Sequence, residues 1–408
     1  MKCRHCGCNR TSLVLDLGAM PPSNSYLSSL EAGQHEISYP LKVVICNQCW
    51  LAQTEEVVPP EHIFSSNYFY ASSTSSTWLT HVENFTNEII RRLELSSKSL
   101  VIEIAANDGY LLQQFKSHGI PCKGVEPSAS VANIAKGKGI EIIQDFFSLS
   151  LAENLRDNGT QADLIVANNV LAHVPGINDF VAGISTLLSS TGVATFEFPE
   201  FRLLLENCLF DTIYHEHYSY LSLTSAINIF ESQGLEVFDV ERIGTHGGSL
   251  RLYAQKQGAS RDVSPRVSEQ VLVEQAAGMH EPGNYVRLRE RVATICHDFA
   301  KFLRDAVTKG KSVAGYGAAA KGNTLLNSIK ATNRDVGFIA DRNPLKQGLF
   351  LPGSHIPVVS EEFLRDAEPD YVIIFPWNIK NELISQLSYI RDWGGSFVTA
   401  VPSLLIVD

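Results

Sequence analysis

The sequence predicts an α/β protein made of a small metal-stabilised amino-terminal unit and two doubly wound sheets. Two CxxC pairs lie within the first fifty residues, Cys3-Arg-His-Cys6 and Cys46-Asn-Gln-Cys49. Short apolar runs then alternate with helical stretches twice, once from residue 99 and again from residue 312. At 408 residues the chain exceeds what one ordinary core sustains, so two or three domains are expected.

A CxxC places two thiolates on one tight turn, and a second pair completes a tetrahedron of sulfurs around Zn²⁺. With Cys3, Cys6, Cys46 and Cys49 as ligands no coordination position stays open, so the ion is structural. Cys8 and His5 are spare ligands nearby and keep a Cys₃His set in play; an iron–sulfur or redox pair is the other alternative. The stretch 1–60 is short of helical periodicity, and Pro21-Pro22 and Pro59-Pro60 interrupt it. Its apolar content is too small for a core of its own, so the metal supplies the missing stability. Cys122, Cys208 and Cys296 sit in or near apolar segments and are expected as buried thiols.

Residues 61–95 form a bridge, Ser/Thr-rich at 72–77 and then helical through Trp78, Val82, Phe85, Ile89 and Leu93. Strands follow at 99–104, 122–127, 163–167 and 193–197, separated by helical stretches. The stretch 260–308 holds periodic apolar residues and is expected to supply helices between the sheets. Further strands at 312–317, 336–341 and 371–375 build the second, smaller sheet. The domain boundaries so read are 1–65, 66–255 and 256–408.

Thirty-three Lys and Arg against 44 Asp and Glu give a net charge of −11. With no concentrated basic tract, non-specific nucleic-acid binding is excluded as an expectation. No run of about 18 apolar residues suggests a membrane span. The opening MKCRHCG lacks an apolar signal stretch, and zinc thiolates suit a reducing compartment, so a cytoplasmic protein is expected, monomeric or a small homo-oligomer.

The first turn of the central sheet is poor in glycine. A pyrophosphate site carries GxGxxG there to admit close backbone approach. Here Glu103 is followed by Asn107-Asp108-Gly109, one glycine among acidic groups. Negative charge suits a cofactor bearing an ammonium and a sulfonium, which S-adenosylmethionine is; NAD(P) and a cofactor-free sheet are the alternatives. Glu126, ending the second strand, is placed to accept from both ribose hydroxyls. Asp145-Phe146 is placed against adenine, and Asn168, at the carboxyl edge of a later strand, faces the same crevice.

Residues 211–220 (DTIYHEHYSY) pack two histidines, one glutamate and three tyrosines together. Burying them without partners is costly, and histidine near neutral pKa suits proton abstraction. His215-x-His217 also reads as half a metal site, its third ligand coming from His173, His246 or a carboxylate. His246 begins a Gly-rich turn and is a second polar group for the pocket, while Arg251 beyond it reads equally as a solvated strand residue. Near 315–324 a helix amino terminus with Lys321 and Asn323 has the donors for a diphosphate without being a Walker A loop. Asp341 and Arg342 close the next strand with an acid and further donors.

The chain resembles the nucleotide-sugar C-methyltransferases, zinc-bearing enzymes that methylate keto-deoxyhexoses. The resemblance rests on the four cysteines, 103–109 (EIAANDG), 167–173 (ANNVLAH), 214–220 (YHEHYSY), 246–251 (HGGSLR), 315–324 (GYGAAAKGNT) and 341–344 (DRNP) in that order. It implies a zinc domain, a central Rossmann-like domain holding S-adenosylmethionine, and a Rossmann-like carboxyl-terminal domain that helps hold the nucleotide sugar. It further implies that Tyr214, Glu216 and His217 line the reaction pocket with His217 as base. Tyr68 and His173 match pocket residues, with Tyr70 and His215 beside them as substrate contacts. Ala105 stands where the family commonly has glycine, which tightens backbone approach, and Ala319 where proline is common.

The chemistry so implied is proton removal from C3 of a nucleoside-diphosphate 4-keto-6-deoxyhexose, followed by enolate attack on a sulfonium methyl. An NAD(P)-dependent nucleotide-sugar oxidoreductase, a metal hydrolase built on His215 and His217, and a zinc-stabilised non-enzymatic binding module are the rival readings.

Overall fold

A computed structural model describes residues 1–55, 57–63 and 76–408. Tyr68 and Tyr70 lie outside the described residues. The amino-terminal unit contains β1 (Thr11–Met20), β2 (Tyr39–Cys46) and β3 (Ala52–Thr54). β1 and β2 pair antiparallel with Thr11 opposite Cys46, which brings both knuckles to one end of the sheet. As expected, this unit has no separate core among the described residues. Val14, Leu41, Val43 and Ile45 join one apolar cluster with Phe299 and Leu303, from the helix Pro282–Thr308. That helix buries Tyr285, Leu288, Val292, Ile295, Phe299 and Leu303, spaced three or four apart as a single face.

The central sheet contains β4 (Val101–Ile104), β5 (Cys122–Val125), β6 (Glu141–Ile143), β7 (Ala162–Asn168) and β8 (Leu188–Pro199). The strand β9 (Ser219–Tyr220) leaves it to pair with β3, and the hairpin β10 (Leu235–Ile243) and β11 (Ser249–Lys256) returns to it. The order is β10-β11-β8-β7-β4-β5-β6, parallel from β8 to β6 and antiparallel at the hairpin. β4 is the switch point, with chain direction diverging between β5 and β7, so the ligand crevice lies at the carboxyl ends of β4 and β7. The bridging helix is Ser76–Leu93 and buries Val82, Phe85 and Ile89, as its period predicts.

The third sheet is β12 (Val313–Tyr316), β13 (Ile339–Ala340), β14 (Val358–Val359), β15 (Tyr371–Ile374), β16 (Ser396–Thr399) and β17 (Leu405–Val407). Its order is β14-β13-β12-β15-β16-β17, parallel except for the last pair. The strand expected at 336–341 shrinks to two residues because Val336 closes a turn onto the Thr332 carbonyl at 3.1 Å. Of the three thiols expected as buried, Cys208 is, while Cys122 and Cys296 are half-buried. No described helix is long and apolar enough to cross a membrane.

Candidate active site

The four knuckle cysteines bring their Sγ atoms within 4.8 Å of one another. Cys3 and Cys49 approach to 3.5 Å, as do Cys6 and Cys46, the spacing four thiolates take around one Zn²⁺. The spare ligands drop out. His5 bonds Asn178 Oδ1 through Nδ1 at 2.8 Å, and Cys8 Sγ accepts from Arg10 N at 3.4 Å. Gln53 Nε2 donates to Cys3 Sγ at 3.3 Å, an outer hydrogen bond that orients the ligand. Among the described residues this is the one cluster of three or more ligand groups, so His215 and His217 do not assemble a metal centre there.

At the switch point the turn from β4 to the helix Tyr110–Ser117 carries positive φ at Ala105 (60°), Asn107 (49°) and Gly109 (76°). Ala105 therefore does more than crowd the backbone. It holds a left-handed conformation that glycine adopts freely and that costs an L-residue about 1 kcal/mol. Glu126 fastens this turn: Oε2 accepts from Asn107 N at 2.9 Å and Oε1 from Ser128 N at 2.8 Å. Burial raises its pKa while those two N–H groups pull it back down. Glu103, 1% exposed, leaves Oε2 without a partner. Burial, then Glu126 and Asp108, push its pKa well above the carboxylate range. Asp108 Oδ1 and both amide atoms of Asn168 are likewise buried without partners. Three polar side chains with unmet acceptors at one strand edge suit a cationic ligand with amino-acid character. Asp145 and Phe146 stand exposed on the rim, where Asp145 Oδ1 accepts from Phe146 N at 2.8 Å.

β7 passes from Asn168 into a short turn ending at His173. The His173 ring meets His217 edge to face, centroids 4.7 Å apart, and Tyr214 lies 4.0 Å from His217 on another side. His217 Nδ1 lies 3.0 Å from the Thr212 carbonyl, which can only accept. Nδ1 therefore carries a proton, which leaves Nε2 as the nitrogen that can take up or release one. A cavity beside it is lined by Phe198, Phe201, Leu204, Leu209 and Tyr220. His215 turns away from this cluster: its Nε2 donates to the Tyr39 carbonyl at 3.1 Å, and burial lowers its pKa. Glu216 accepts a hydrogen bond from Asn24 Nδ2 of the amino-terminal unit, and burial raises it to about 7.

The third sheet meets this segment directly. Trp377, following β15, donates Nε1–H to Asp211 Oδ2 at 2.6 Å. Burial raises Asp211 to about 6, with Lys321 opposing. Lys321 sits 4.2 Å over the Trp377 ring, donates to Asn378 at 2.8 Å, and desolvation lowers it to about 8. Asn323 does not face a cleft. It is 1% exposed and gives its amide to the Ser23 carbonyl at 2.9 Å. Asp341 accepts from Ala318 N at 2.7 Å and Asn343 N at 2.8 Å, fixing the turn after β12, while Arg342 is exposed and pairs with Glu361 at 3.0 Å. The turn Thr245–Gly247 carrying His246 lies between β10 and β11.

The sequence reading does not single out Asn24, His81 or Trp377, nor Arg251 in its actual role. Arg251 is buried and bonds Glu197 through Nε at 2.7 Å, with His81 Nε2 3.0 Å from the same carboxylate. It is not a solvated strand residue. Trp377 alone had a readable cue, an aromatic just past the carboxyl end of a strand.

Three family models match consecutive parts of the chain: a zinc binding domain over residues 3–64, a methyltransferase domain over 78–240 and a C-methyltransferase C-terminal domain over 244–402. The C-methyltransferase NovU of Streptomyces niveus is 33% identical over 406 residues, covering 100% of this chain and 96% of that one. Among solved structures, an S-adenosylmethionine-dependent methyltransferase from Clostridium acetobutylicum ATCC 824 is 13% identical with a TM-score of 0.35, over 43% of this chain and 91% of that one. Magnesium protoporphyrin IX methyltransferase from Synechocystis PCC 6803 is 14% identical with a TM-score of 0.36, over 50% of this chain and 100% of that one. At such scores the two overlaps decide nothing about the site.

Proposed function

The chain belongs to the zinc-bearing, S-adenosylmethionine-dependent C-methyltransferases, and on that footing we propose that it methylates C3 of a nucleoside-diphosphate 4-keto-6-deoxyhexose, thymidine being the preferred nucleoside. The observation that carries the reading is the fixed tautomer of His217, whose basic Nε2 belongs to a ring packed against His173 and Tyr214.

A sugar carbon is not nucleophilic until it loses a proton beside a carbonyl. His217 Nε2 takes the C3 proton and becomes an imidazolium, stabilised through Nδ1–H by the Thr212 carbonyl. The C3–H electron pair moves into the enolate, and Tyr214 donates to the oxygen where charge develops. Glu216 supplies a carboxylate to the pocket, and Tyr68 and His173 complete it. S-adenosylmethionine, when bound, supplies the electrophilic methyl. Glu103, Asp108 and Asn168 would hold its amino-acid end and Glu126 its ribose, with Asn107 and Gly109 shaping the turn and Asp145 and Phe146 at the adenine rim. The unmet buried acceptors at Glu103, Asp108 and Asn168 fit that cation.

Lys321, beside Trp377 and facing the segment 211–217, is the residue best placed for the diphosphate, with His246 and Arg342 as outer contacts. The domain boundaries 1–65, 66–255 and 256–408 are proposed with it; β11 ending at Lys256 supports the second. The experiment is to locate the transferred carbon on a panel of nucleotide keto sugars.

A further inference from the structure

The segment 23–26 of the zinc unit crosses to both other parts of the molecule. The Ser23 carbonyl accepts from Asn323 Nδ2 at 2.9 Å, and the Tyr26 hydroxyl donates to the Ala318 carbonyl at 2.5 Å. Thr324 closes the circuit by donating to the Ile213 carbonyl at 3.0 Å, two residues upstream of His215. Within that circuit, Asn24 Nδ2 donates to Glu216 Oε1.

We propose that Asn24 is a positioning residue for the methyl transfer, holding the Glu216 carboxylate ionised and oriented in the reaction pocket. The inference rests on the reading of Glu216 given above. Glu216 is 3% exposed, so water cannot solvate its charge and a protein donor must. The cation that acts on it is Lys346, but its ammonium donates to the Ala318 carbonyl at 2.7 Å and lies 3.8 Å from Asp341. Its charge is therefore shared. Among the described residues Tyr26 is the further titratable group that acts on Glu216 from the zinc unit, and His215 and His217 flank it on its own segment. Burial drives Glu216 up to about 7, and the Asn24 hydrogen bond opposes that rise before Lys346 does. An amide does this without adding a charge that would need its own partner.

The test uses full-length, zinc-loaded protein and two readouts. Infrared titration of the protonated carboxyl band, identified by its loss in Glu216→Gln, follows ionisation without turnover. The pH profile of methyl transfer follows function. In Asn24→Leu the carboxyl midpoint rises by about one pH unit, the scale of a hydrogen bond to a charged group. Asn24→Asp, nearly isosteric and so safe for folding, raises it as well by placing a second acid alongside. In both variants the acid limb of the rate profile moves upward in step, a loss of about fivefold at pH 7 that disappears by about pH 9. Ser25→Ala, on the exposed neighbour, leaves both unchanged. An unmoved midpoint in both variants at full zinc content overturns the role of Asn24. A midpoint that moves while the rate profile stays fixed keeps the contact and removes Glu216 from the reaction.

Discussion

His173 and His217 stand edge to face, ring centroids 4.7 Å apart and planes at 71°. That contact joins the carboxyl end of β7, where Asn168 holds a buried, unpartnered amide, to the segment carrying the proposed base. Two segments that are distant in sequence thereby meet.

Replacing His217 removes the base and spares the binding groups. His217→Asn, which keeps a donor for the Thr212 carbonyl, is expected to bind both ligands normally. Its exchange of the substrate α-proton with deuterated solvent should fall by about 10²–10⁴-fold, measured by NMR. Exchange at the wild-type rate would move the base to Tyr68, Glu216 or His173.

Glu126 holds the turn that shapes the cofactor crevice. Glu126→Ala should weaken S-adenosylmethionine binding about tenfold or more by calorimetry, since it removes the proposed ribose acceptor and frees the turn that Asn107 N and Ser128 N fasten to it. Sugar-nucleotide binding should change less. Equal cofactor affinity in the variant contradicts the assignment.

Much of this was legible in the sequence where the signal is local. Glu103 and Glu126 sit on or just beyond short apolar runs, so strand ends and acidic crevice could be read together. The cysteine knuckles carry their own geometry. What is not legible depends on register and on remote partners. Arg251 looks like an alternating strand residue until β8 and β11 pair it opposite Glu197. Asn323 looks like a phosphate donor until Ser23, far upstream, takes its amide. His215 and Glu216 share the composition of their segment with His217, yet each side chain has its own remote or local partner, Tyr39, Asn24 and Thr212 respectively, which spacing does not encode.

Zinc should be present at one equivalent per chain by metal analysis, well above about half an equivalent. Its removal should abolish methyl transfer and lower the melting temperature together, although the ion touches no reacting atom. The reason is mechanical: the unit it holds carries Ser23, Asn24 and Tyr26 into the site.

Glu216 makes stability depend on pH. Its folded pKa of about 7 lies above the ordinary 4.5, so the folded state holds the proton more tightly. The associated stability is complete below pH 4.5 and is lost as pH rises through 7. Glu216→Gln should therefore melt like wild type near pH 4 and be more stable at pH 8, by about 3 kcal/mol. Equal stability at pH 8 contradicts the buried, destabilised carboxylate.

The central claim is that this chain builds a carbon–carbon bond beside a ketone. Incubation with methyl-labelled S-adenosylmethionine and a panel of nucleoside-diphosphate keto-deoxyhexoses, followed by NMR of the product, reads that bond directly. The label is expected on C3 of a 4-keto-6-deoxyhexose, coupled to ring carbon. A label on C5 would contradict the regiochemistry, and a label on oxygen or nitrogen would contradict the account as a whole.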